Sequence, residues 1–169
     1  MSDFAQQVSG WETFYLLTGT AAATLIGLLF VAISVGRESI EAKATRDLSL
    51  FGALTFNCFF YVLVISILFL IPGLSRAWLG LPLALLGLLA LIGALIQWRA
   101  ARSIPSDRFG MQVSSRFGAP MFSLILIIVI GFLILLGLTW SLYGLVVAVI
   151  LLLASASQNA WFLLMLERS

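Results

Sequence analysis

The side chains best equipped for chemistry in this chain are amides and hydroxyls set among aliphatic residues: Asn57, Gln97, Ser155, Ser157, Gln158 and Asn159. Their company excludes most of what such groups do elsewhere. Histidine is absent, so the commonest general base and the commonest zinc, copper and iron ligand are both missing. The serines have no neighbouring His or Lys to take a proton, which leaves a serine nucleophile unactivated. Cys58, the single cysteine, sits in an apolar run and is expected to pack as a small hydrophobe. These residues point to no catalytic or metal site and no cofactor. The chain is expected not to be an enzyme.

The elements that carry those amides are membrane spans. Hydrophobic residues make up 62% of the 169 residues and charged ones 9%, with a mean hydropathy of +1.16. A soluble surface needs roughly 25–35% charged residues, so lipid must be the main solvent. The net charge of +2 is too small to indicate nucleic acid. Crossing ~30 Å of hydrocarbon takes about 20 apolar residues, and charges mark where such stretches end. Between Glu12 and Arg37 lie 24 uncharged residues, between Asp47 and Arg76 lie 28, and between Arg76 and Arg99 lie 22. The last gap, from Arg116 to Glu167, holds 50 and fits two spans with a tight turn, which is expected at Thr139-Trp140-Ser141 after Gly137. The expectation is an all-α integral membrane bundle, a single domain over 1–169, with spans at about 12–36, 50–72, 77–98, 120–138 and 141–165. Pro72-Gly73 closes the second span, while Pro82 and Pro120 fall in the first turns of the third and fourth, where proline is tolerated. The first ten residues carry no Lys or Arg, and the apolar stretch after them is too long for a signal peptide, so it reads as a retained span.

Basic residues orient the bundle. Arg37, Lys43, Arg46, Arg99, Arg102, Arg108, Arg116 and Arg168 fall on one side, against Arg76 alone on the other. The positive-inside rule then puts the N-terminus outside and the C-terminus in the cytoplasm. Aromatic residues agree with this arrangement. Trp11, Tyr15, Trp78, Trp140 and Tyr143 fall at outer span ends, and Trp98 and Trp161 at inner ones. Glu12 and Arg76 are expected to pair across the outer face.

The loop 37–49 reads as a helical hairpin tip, with Arg37–Glu41 and Lys43–Asp47 at i,i+4. The loop 99–119 holds a short echo, Asp107-Arg108-Phe109-Gly110 and Ser115-Arg116-Phe117-Gly118. Arg108, Phe109, Arg116 and Phe117 are candidate lipid-headgroup contacts, the rings entering the interface and the guanidinium groups meeting anionic lipid. An accidental echo, or a contact with a partner protein, is the alternative.

Under this topology Asn57, Gln97, Ser155, Gln158 and Asn159 all lie toward the cytoplasmic leaflet. No Asp, Glu, Lys or Arg occupies the middle of a span, which weakens proton-pump and charge-coupled transport readings. The amides are expected to bond one another between helices, or else to line a polar vestibule open to the cytoplasm. Two ridges of small residues mark helix-packing faces: Gly19, Ala23 and Gly27 in the first span, and Gly80, Ala84 and Gly87 in the third. Packing within one protomer is the first expectation for both, and packing between protomers the second.

The stretch 11–34, with Trp11, Phe14, Tyr15, Gly19, the run Ala21-Ala22-Ala23 and then Gly27-Leu28-Leu29-Phe30-Val31-Ala32, resembles the first span of a group of small bacterial multi-span membrane proteins. Some of these are labelled modulators of a membrane protease. The resemblance implies a bacterial inner membrane and a similar multi-span body, and transfers no site. The expected partners are membrane lipids and further copies of the chain, with another membrane protein as an alternative and nucleic acid excluded. A homo-oligomeric, channel-like assembly is the leading functional expectation. An accessory, regulatory or scaffold subunit of a larger membrane complex is the runner-up.

Overall fold

A computed structural model describes residues 3–36, 42–102 and 109–166. Every regular element in them is helical: α1 (Asp3–Ser9), α2 (Glu12–Gly36), α3 (Ala42–Leu70), α4 (Arg76–Arg102), α5 (Phe109–Leu135) and α6 (Leu142–Leu166). Five of these, α2 to α6, are long and apolar enough to cross a membrane. Large apolar side chains such as Leu17, Leu89, Ile96, Phe132 and Ile150 are exposed around them, as hydrocarbon solvent demands.

The short turns form where the charge gaps place them. After α5, Gly137 takes a left-handed φ of +87°, which glycine adopts without a Cβ penalty. The Leu138 N–H then donates to the Leu133 carbonyl at 2.9 Å and the Gly137 N–H to the Ile134 carbonyl at 3.0 Å, the paired bonds of a Schellman cap. A single 3-10 turn, Thr139–Ser141, leads into α6. Gly73, at φ +72°, follows Pro72 in the turn between α3 and α4.

At the opposite end the helices outrun the predicted spans. α3 begins at Ala42 and α5 at Phe109, because helix persists beyond the apolar stretch that hydropathy detects. Pro120 is therefore interior to α5 and not at its start. Its missing N–H withholds the i→i−4 bond from the Arg116 carbonyl. Of the hairpin tip, residues 37–41 lie outside the described part.

Antiparallel neighbours build the bundle. α2 packs on α3, α3 on α6, α6 on α5 and α5 on α4, so α2 is an outlying helix laid against α3. Tyr15, Ile65, Leu83, Ile130, Leu145 and Leu152 are among the fully buried side chains that fill the core. α1 precedes the first apolar stretch, and the charge gaps do not reveal it. Its Phe4 and Val8, one turn apart, are 3% and 6% exposed and join the core at the end that carries the turns.

Candidate functional site

The two small-residue ridges meet different fates. On α4 the ridge is occupied by α5. A Cβ on Gly80 would lie 2.9 Å from the Gly131 carbonyl oxygen, one on Gly87 2.7 Å from Cγ1 of Ile128, and one on Gly131 2.8 Å from the Ala84 backbone nitrogen. The backbones touch, which only small residues permit.

On α2 only the first step of the ridge is used. A Cβ on Gly19 would come within 2.8 Å of the Ser66 Cβ, whereas one on Gly27 would meet nothing within 4 Å. Thr20, Ala23, Thr24, Gly27 and Ser34 are all exposed. They share one helical face. Their hydroxyls are already satisfied locally: Thr20 donates to the Leu16 carbonyl at 2.8 Å, Thr24 to that of Thr20 at 2.9 Å and Ser34 to that of Phe30 at 2.8 Å. Such a face tolerates lipid and also packs against another helix without unmet polar groups.

What holds α2 to α3 sits near the turn end. Tyr15 and Phe69 stack with ring centroids 3.9 Å apart, and the hydroxyls of Thr18 and Ser66 bond each other at 3.2 Å, buried. Toward the other end the pair gapes over a groove of about 260 Å³ lined by Leu29, Ile33, Gly52, Phe56 and Asn57.

The expected polar cluster is spread over several helices at one end of the bundle. Asn57 is half-buried in the α2/α3 groove, while Ser155 and Asn159 are buried on α6, at 8% and 2% exposure. Gln158 is exposed. Gln97 is half-buried on α4, which packs on α5 rather than on α6. Of the proposed headgroup contacts, Arg108 and the side chains of Phe109 and Arg116 lie outside the described part. Phe117 is 3% exposed and belongs to the core, so its ring does not enter the interface.

Two further expectations are corrected at the turn end. Tyr15 is wholly buried, and its hydroxyl has no hydrogen-bond partner. Among the described residues Glu12 and Arg76 form no ion pair. The Arg76 guanidinium instead lies 5.7 Å from the centre of the Phe4 ring, and its Nη1 is 3.0 Å from where a Cβ on Gly137 would stand. This cation–π contact ties α1 to the bundle. The i,i+4 spacing of Phe4 and Val8 is the sequence signal for α1, and a helix of seven residues is too short to show a period. Trp11 meets Tyr143 edge-on at 5.1 Å, joining the turn before α2 to the start of α6.

No family model matches the chain, and neither a curated protein nor a solved structure matches it.

Proposed function

We propose that the chain is a multi-pass protein of a bacterial inner membrane whose copies associate through the outward face of α2 into a homo-oligomeric, channel-like assembly. One observation carries this reading: the Thr20–Ala23–Thr24–Gly27 face is left unused by the protomer, whereas the comparable face of α4 is filled by α5. The interior of the protomer is plugged by Ile65, Leu83, Ile127, Ile130, Leu145 and Leu152, each at most 2% exposed. A water path therefore runs between copies, along the outward face of α2, where Thr20, Thr24 and Ser34 stand exposed among small residues. The basic loops set the N-terminus outside and the C-terminus in the cytoplasm. The chain then acts by assembly and presents no catalytic centre.

The local hydroxyl bonds favour a second reading. Because Thr20, Thr24 and Ser34 need no water, the same face serves equally well as a dry seam for a different membrane protein, and the chain is then an accessory subunit.

Disulfide trapping in native membranes tests the choice. In a Cys58→Ser background, Ala23→Cys is expected to give cross-linked dimers, because copies share one orientation and position 23 lies at one depth in each. Leu89→Cys, 67% exposed on α4, is the lipid-facing control. Cross-linking at position 23 no stronger than at 89 overturns self-association, and a stoichiometric second protein retained in mild detergent then supports the accessory role.

A further inference from the structure

At the turn end, a cavity of about 140 Å³ lies between α1, the start of α2 and the Pro72-Gly73 turn. Val8, Phe69, Pro72 and Leu74 give it an apolar floor, and Ser9 and Glu12 supply its polar wall. It exceeds the ~30 Å³ share of one liquid water several-fold. An ammonium group with a short alkyl stem fits that volume.

The charges select a cation. Glu12 brings a carboxylate to the wall that no guanidinium neutralises, since Arg76 is turned onto the Phe4 ring. Among the described residues no lysine or arginine lines the cavity. α3 ends at Leu70 in the same wall, so the carbonyls of its last turn, of which that of Leu68 accepts from the Ile71 N–H, add the negative end of the helix dipole. The location selects the carrier. Glu12 is the first residue of the first apolar span, and Trp78, Trp140 and Tyr143 stand exposed at the same end of the bundle, the pattern of a headgroup layer.

We propose that this cavity seats the ammonium group of a zwitterionic lipid headgroup, with Glu12 as its counter-ion. The alkyl stem lies on Val8, Phe69 and Leu74, and anionic headgroups are disfavoured by the same carboxylate. The proposal rests on the chain spanning the membrane and is independent of association through α2.

The full-length protein, released in mild detergent with equal amounts of phosphatidylethanolamine and phosphatidylglycerol, is to be measured by native mass spectrometry. The wild type is expected to retain the ethanolamine lipid in preference to the glycerol lipid. Glu12→Gln should lower that preference on the order of threefold, the scale of one partly exposed ion pair. Glu12→Lys should invert it, an outcome that a merely unfolded variant does not produce. An unchanged ratio in both variants, or a wild type that prefers the glycerol lipid, overturns the proposal. Cross-linking at position 23 should be the same in Glu12→Gln as in the unaltered chain, so failure of this site and failure of self-association are read separately.

Discussion

Two seams of this bundle start from the same sequence device and end differently. Where α4 meets α5, small residues on both sides let the backbones touch along Gly80, Ala84, Gly87 and Gly131. Where α2 meets α3, the helices come close at Tyr15, Thr18 and Gly19 and again where Gly52 faces Ile33, with a groove lined by Asn57 beside the second contact. The difference shows what a small-xxx-small ridge encodes. It states that a helix can be approached, and the partner's own surface decides whether it is. Gly131 answers the α4 ridge, whereas Gly27 lies on the face of α2 turned away from α3, exposed, with nothing within 4 Å of the place its Cβ would take.

The largest expected effect separates the two seams directly. Gly131→Ala forces a Cβ to within 2.8 Å of backbone that cannot yield as a side chain would. Overpacking of this kind costs about 1–3 kcal/mol, and Gly131→Leu should prevent recovery of folded protein. Denaturant-induced unfolding in detergent reads the first, and the yield of monodisperse protein the second. Wild-type stability in Gly131→Ala would mean that α4 and α5 are not in backbone contact.

Next in size is a gain. The Tyr15 hydroxyl is buried without a partner at the tight end of the α2/α3 seam. Leaving such a group unbonded costs about 1–3 kcal/mol, so Tyr15→Phe should stabilise the protein by about 1 kcal/mol while keeping the stack on Phe69. A clear loss would show that the hydroxyl meets a bound water or lipid atom. Thr18→Val acts on the neighbouring turn and in the opposite direction. It removes the bond to Ser66, and interhelical hydroxyl contacts in membranes average roughly 0.6 kcal/mol. The two variants together, in the same unfolding assay, measure how firmly α2 is pinned.

The spans and turns are legible in the sequence because the bilayer imposes them. Charges are costly at its centre, so the gaps ending at Arg37, Asp47, Arg76, Arg99 and Arg116 delimit helices on their own. The turn at Thr139–Ser141 follows from Gly137 and the length of the last gap. Which side of each helix faces inward is not legible, because lipid is as apolar as a core and exposed Leu89 reads like buried Leu83. For that reason composition and position point Tyr15 and Phe117 to the interface, whereas the folded chain buries both in its core. The same blindness applies to the amides. Their shared end can be read from topology, but that Asn159 is buried while Gln158 is exposed depends on helix rotation, which hydropathy does not record.

The smallest expected change in stability is also the most discriminating for function. Gly27 faces open space, so Gly27→Leu adds volume that the protomer does not need to accommodate. Exposed substitutions away from special features usually stay within about 0.5 kcal/mol, and the monomer should unfold as the wild type does. If α2 is the seam between copies, the same leucine should abolish disulfide trapping through Ala23→Cys, because backbones held apart by a branched side chain no longer bring position 23 of one copy near its counterpart. A variant that loses cross-linking with unaltered stability assigns Gly27 to assembly, as Gly131 is assigned to the fold. A variant that keeps its cross-links leaves the α2 face to lipid, and the resemblance between the two ridges then ends at their spacing.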